Sequence, residues 1–155
     1  MSEPHVCVVD YGTGNLFSVK KALELVGANV YVSSDPKIVE TAEMLVLPGV
    51  GAFHHGMNAL RTLGLDTAVL KFCESGRPFL GICLGMQFLA TSSKEFGFFR
   101  GLNLIPGEVV KLDAGQGENI KVPQIGWVPL LQPNNTNWSG SYLQGMSSLD
   151  EVYTV

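Results

Sequence analysis

The chain begins with "HVCVVD", a short, β-branched and almost continuously apolar run, the pattern of a strand buried on both faces. It breaks at "YGTGN", where two glycines permit tight turning. In the following "LFSVKKALELVG", Leu16, Val19, Leu23 and Val26 recur at helical spacing, and Gly27 stands where a helix would stop. "NVYVSS" predicts a second strand. Asp35 and Pro36 then suit the N-cap and first turn of a helix over "PKIVETA". "MLVLPGVG" reads as a third strand running into a glycine-rich bend, and "GMNALRTLG" and "LDTAVLKFCESG" read as helices. "PFLGI" is a fourth strand, and "MQFLATSSK" is expected to start another helix.

Strands alternating with helices predict an α/β fold with a parallel sheet covered on both faces. Beyond about Phe96 the runs shorten, turn residues multiply, and "GEVVKLDAGQGENIKVPQIGWVPLL" reads as antiparallel strands and loops. "QPNNTNWSGSYLQG" is polar enough for an exposed loop, and "DEVYTV" is a last strand-like run. With no repeat and no linker, residues 1–155 read as one domain.

Composition narrows the function classes. Hydrophobic residues make up 46% of the 155 and charged ones only 15%, so the chain can bury a core. A net charge of −4, with lysines and arginines scattered, gives no footprint for nucleic acid. No apolar stretch approaches the roughly 18–20 residues that span a membrane, and the N-terminus lacks the pattern of a signal peptide. Three widely spaced cysteines make no disulfide framework, which suits a soluble cytoplasmic protein. The three histidines, His5, His54 and His55, have no metal-ligand spacing, so neither metal nor cofactor is expected.

The chemistry centres on Cys83. It sits between Gly81 and Gly85 where a strand hands over to a helix, in the form of a G-x-S-x-G nucleophile elbow with sulfur for oxygen. The glycines would let strand and helix crowd together, so that the central residue takes a strained turn and projects its side chain. A helix N-terminus favours the thiolate. The Leu84 amide would face the oxygen of a carbonyl under attack, and the bend Pro48-Gly49-Val50-Gly51 at another strand end could complete an oxyanion hole. Local context leaves open that Cys83 is merely a small buried hydrophobe, the reading that applies to Cys7 and Cys73.

Four segments in order, "VVDYGTGNLFSVKKAL", "LPGVGAF", "GICLGMQ" and "VPQIGW", resemble the glutamine amidotransferase subunit of imidazole glycerol phosphate synthase, of the class I triad type. The resemblance covers essentially the whole chain and implies a flavodoxin-like sheet. It implies that Cys83 attacks glutamine, that Gly51 and Leu84 supply the oxyanion hole, and that Gly49, Val50 and Gln87 bind glutamine, with the 49–50 peptide reorienting on activation. It further implies a heterodimer. Ammonia would pass to a (βα)8-barrel cyclase subunit that makes imidazole glycerol phosphate and aminoimidazole carboxamide ribotide in histidine biosynthesis. Asn15, Gln124 and Trp127 match segments that face or couple to the barrel. Quieter readings stay open: Asn15 as a helix cap, Gln87 as a solvated helix residue, Trp127 as a core aromatic.

The resemblance has gaps. The class completes its triad with a histidine and a glutamate near the C-terminus, yet no histidine follows His55. His54 and His55 make poor substitutes, since no acidic orienter is evident. The expectation is a fragment or truncated product of a longer subunit, with apolar surface uncovered and marginal stability. The family's "PHMGWN" is here "PQIGWV", which puts coupling from the barrel in doubt. Two alternatives remain: a non-catalytic partner-binding subunit, and a paralogue supplying ammonia to a surface-polysaccharide amidotransferase.

Overall fold

The computed structural model describes residues 3–112, 125–134 and 136–154. These fall into two compact units, 1–111 and 112–155.

The first unit is built on four parallel strands, β1 (His5–Val9), β2 (Asn29–Ser33), β3 (Met44–Leu47) and β4 (Phe79–Gly81), in the order β2-β1-β3-β4. The apolar runs become strands because both faces of this sheet meet side chains. Cys7, Val9, Leu45 and Leu47 point to one face, Val6, Val8, Val30 and Val46 to the other. Helices α2 (Pro36–Thr41), α3 (Phe53–Thr62) and α4 (Leu65–Glu74) supply Val39, Met57, Leu60, Val69 and Phe72 to the first face. Helix α1 (Leu16–Leu25) lays Leu16, Val19 and Leu23 on the second.

The helix ends follow local chemistry. The Asn15 carboxamide oxygen accepts from the Ser18 amide at 3.1 Å, and the Asp35 carboxylate accepts from the Lys37 amide at 2.8 Å with Pro36 in the first turn. Gly27, just past α1, has φ +91°, a conformation that favours glycine. Arg77 ties the C-terminal end of α2 to the start of β4, donating to the carbonyls of Ala42 and Glu40 while its guanidinium lies 4.4 Å from the centre of the Phe72 ring.

Two expectations are corrected. "MQFLATSSK" does not continue as a helix: α5 is the single turn Leu84–Gln87, and Ala90–Ser93 is strand β5. Thr91 and Ser92 sit in a ladder that favours such residues, with β6 (Phe99–Arg100) on one side and β7 (Ile105–Val109) on the other. Nor is everything past residue 96 antiparallel. β5 and β6 are antiparallel, but β7 runs parallel to β5. In the second unit, β8 (Gly126–Pro129) and β9 (Glu151–Thr154) form an antiparallel pair. Among the described residues no helix is long and apolar enough to cross a membrane.

Candidate active site at the β4 to α5 elbow

The last ladder bond of β4 runs from the Ile82 amide to the Leu47 carbonyl at 3.0 Å, and the chain then turns sharply. Cys83 takes φ 54° and ψ −117°, strained for any residue with a Cβ, while the Gly85 amide reaches back to the Ile82 carbonyl at 3.0 Å. The flanking glycines do what the sequence required of them. A Cβ on Gly81 would lie 2.8 Å from Met86 Cα, and one on Gly85 would collide with the Leu47 carbonyl. Strand and helix are packed backbone to backbone, and the corner between them forces the thiol outward. Cys83 is exposed, Cys73 half-buried and Cys7 sealed in the core. Burial pushes the Cys7 thiol up to about 11 and raises that of Cys73, so neither offers a ready nucleophile.

The glycine-rich bend after β3 lies against the same corner. A Cβ on Gly49 would come within 2.9 Å of both the Gly85 amide nitrogen and Leu84 Cβ, so only glycine fits there. Gly51 has φ +96°. Among the described residues, the amides of Gly49, Val50, Gly51 and Leu84 donate no hydrogen bond within the fold. Four donors not used within the fold therefore lie on the elbow and on the bend that packs against it through Gly49, a supply from which an oxyanion hole can be assembled. Because α5 is one turn long, it brings no extended helix dipole to the thiol.

Gln87 closes the first turn after the thiol, its amide donating to the Cys83 carbonyl at 3.1 Å. It lines a cavity of about 470 Å³ whose other walls are Lys94, Glu95, Phe96, Val109, Val110 and Lys111. A lining that joins apolar side chains to a carboxamide, a carboxylate and two lysine side chains suits a small polar, zwitterionic molecule.

Two residues that sequence reasoning passed over also belong here. Tyr11, buried at the end of β1, donates its hydroxyl to the Pro48 carbonyl at 2.9 Å. Its phenol is raised chiefly by burial, opposed by a hydrogen bond from Thr13 and reinforced by the nearby Cys83 charge. Glu95 accepts the Phe53 amide at 2.7 Å, capping α3, whose own N-cap Ala52 has no side-chain oxygen to offer. Tyr11 stood inside a quoted motif with only its glycines weighed. Glu95 carried no local signal at all.

Asn15 caps α1, as its quieter reading anticipated. Trp127, on β8, is exposed and stands edge-on to Tyr153 at 5.6 Å, so it is not a core aromatic. Gln124 is outside the described residues. His54 stacks on Phe99 at 4.9 Å and lies tilted against His55 at 3.8 Å, and among the described residues no carboxylate pairs with either imidazole.

Comparison with known proteins agrees with this geometry. Residues 7–132 match the family described as glutamine amidotransferase class-I. The imidazole glycerol phosphate synthase subunit HisH of Syntrophotalea carbinolica is 46% identical over 97% of this chain and 72% of its own length. The corresponding HisH subunit of Geobacter sulfurreducens is 50% identical over 79% of this chain, which spans 60% of that relative. A solved glutamine amidotransferase shares the fold, with TM-score 0.59 and 22% identity over 73% of this chain and 59% of its own. The chain belongs to the class I glutamine amidotransferases, among the HisH subunits of imidazole glycerol phosphate synthase.

Proposed function

We propose that the elbow is the nucleophilic half of a glutaminase site serving histidine biosynthesis. One observation carries this reading: an exposed, strained Cys83 is held against a glycine bend rich in unspent amides. The Cys83 thiolate adds to the side-chain carbonyl carbon of glutamine, and the negative oxygen turns toward the amides of Leu84 and Gly51. The C–N bond breaks, nitrogen leaves as ammonia after taking a proton, and a glutamyl thioester remains. Water then cleaves the thioester to glutamate and regenerates the thiol.

Gly49, Val50 and Gln87 contact the glutamine, and the 49–50 peptide reorients to complete the hole. Glu95, which lines the same cavity as Gln87, has a second carboxylate oxygen for the substrate's α-ammonium. Residues 1–155 serve as a single amidotransferase domain in the cytoplasm. Ammonia passes to a (βα)8-barrel cyclase subunit, with Asn15, Gln124 and Trp127 at or near that interface. The relatives' names support the pathway and the partner. General acid–base help is worth ~10²–10⁴-fold, and no histidine follows His55. Turnover by these 155 residues alone is therefore expected to be slow even where the nucleophile is intact.

A glutamine-derived chloroketone tests the reading without requiring turnover. Saturable labelling of Cys83 at neutral pH, with free glutamine protecting and Cys83→Ala abolishing it, is expected. Labelling that does not saturate, or that falls equally on Cys7 and Cys73, overturns it.

A further inference from the structure

The bend that supplies the amides is itself held at both ends by side chains from distant parts of the chain. At its start, the Tyr11 hydroxyl donates to the Pro48 carbonyl at 2.9 Å, and Gly14 of the same loop approaches the Pro48 ring, a Cβ there lying 3.8 Å from Cγ. At its end, the Glu95 carboxylate accepts the Phe53 amide at 2.7 Å. Between these two points no amide of the bend is hydrogen bonded within the fold, among the described residues.

The tethers share one foundation. Phe88, which follows α5 directly, meets the Tyr11 ring edge-on at 5.9 Å and the Phe53 ring at 5.4 Å. It also presses on Gly56, where a Cβ would clash with the tip of the ring. The elbow and both anchor points therefore rest on a single buried phenylalanine, while the segment 49–51 spans the gap between clamps.

We propose that Tyr11 is a positioning residue for the glutaminase reaction, its hydroxyl holding the Pro48 carbonyl so that the 49–51 segment stays against the Cys83 corner, where its 49–50 peptide turns to complete the hole, with Glu95 as the matching clamp at Phe53. The inference rests on the glutaminase reading of the same site. Tyr11 does not touch the reacting atoms; it acts through the backbone it holds. Its hydroxyl is buried, 2% of the residue being exposed, so loss of the bond leaves the Pro48 carbonyl without its partner and the bend free to pivot.

Tyr11→Phe deletes the hydroxyl and keeps the ring on Phe88. Two measurements on the 155-residue chain test it. Cleavage between residues 49 and 52 by a broad-specificity protease under native conditions is expected to quicken in Tyr11→Phe, because it reads the mobility of an exposed backbone. Inactivation by the glutamine chloroketone is expected to lose roughly tenfold in its limiting rate, less than the ~10²–10³ of an outright lost oxyanion donor. Its saturation constant, and Cys83 alkylation by iodoacetamide, which needs no oxyanion hole, should stay within about twofold. Unchanged cleavage of the bend overturns the proposal. So does an unchanged limiting rate, or an equal loss with iodoacetamide, which would mark general damage. Saturable wild-type labelling with an unaffected variant sinks the positioning role alone, whereas unsaturable wild-type labelling sinks the glutaminase reading and the role with it. Should Tyr11→Phe melt below assay temperature, the Glu95 pair decides. Glu95→Ala should quicken hydrogen exchange at the Phe53 amide and protease cleavage in the bend, and Glu95→Gln, which retains an acceptor for that amide, should not; equal behaviour of the two overturns the clamp.

Discussion

The two faces of the four-stranded sheet are covered very differently. One lies under three helices and holds a continuous core running from Cys7 and Leu47 through Met57 and Phe72 to Leu84 and Phe88. Among the described residues of the first unit, α1 is the one helix on the other face, a helix with no fully buried residue, over the four valines Val6, Val8, Val30 and Val46. The parallel register shows where that cover runs out. Val32 pairs with Val8 and Leu80 with Val46, so both belong to the α1 face, yet they are 39% and 41% exposed. The site draws on the thick face. Tyr11, Phe53, Leu84 and Phe88 are all members of its core, so the elbow and bend are anchored in the best-packed part of the molecule. A strained backbone such as that of Cys83, costing about 1–3 kcal/mol, persists only where its surroundings over-determine it.

The largest expected effect tests that difference directly. Phe72 is fully buried and carries both the Phe79 contact and the Arg77 guanidinium. Phe72→Ala should cost about 3–5 kcal/mol in a urea titration, through lost transfer energy plus a cavity. A loss below about 1 kcal/mol would mean that the three-helix face is no better packed than the other.

Much of this was legible beforehand, and the failures share a cause. Apolar runs marked all four parallel strands, and Asn15, Asp35 and Gly27 marked helix ends, because each acts within a few positions of itself. The elbow was legible for the same reason, since Gly81, Cys83 and Gly85 are neighbours in sequence. The helix expected over "MQFLATSSK" failed because the strand partners of Ala90, Ser92 and Ser93 lie further along the chain. Gly101, where a Cβ would collide with the Ala90 carbonyl, shows how tightly that later chain closes on β5. Glu95 was invisible because its bond spans 42 positions to a backbone amide, which leaves no trace in residue spacing. Tyr11 stands in the "YGTGN" turn, where the glycines carry the signal, and its bond to the Pro48 carbonyl spans 37 positions.

An intermediate effect comes from pH. Cys7 lies on the thick face, and burial lifts its thiol from 9.0 to about 11, partly offset by a hydrogen bond with Tyr31. Between those values the unfolded chain has released this proton while the folded chain still holds it. The unfolded state thus binds fewer protons, and stability falls as pH rises. The contribution is fully present below pH 9 and is lost progressively toward about 11. Subtracting the profile of Cys7→Ala from that of the wild type cancels the other alkaline groups, and the difference should decline across this window. A flat difference would show that solvent reaches the thiol, and with it the interior of the thick face.

The smallest effect should come from the thin face. Leu23 packs only against the valine cluster from α1 and is half-buried, so truncation removes little buried area and leaves a groove open to water rather than a sealed cavity. Alanine also has the higher helix propensity, returning part of the loss. Leu23→Ala should therefore cost about 1 kcal/mol or less by urea titration, several times below Phe72→Ala. A cost approaching that of Phe72→Ala would mean that the α1 face is as demanding as the other. The exposure of Val32 and Leu80 would then be confined to the sheet's margins rather than marking a weakly covered face. With the small cost, the residues that hold the elbow and its bend are insulated from events on the α1 side, and Cys83 labelling by the chloroketone should be the same in Leu23→Ala as in the wild type.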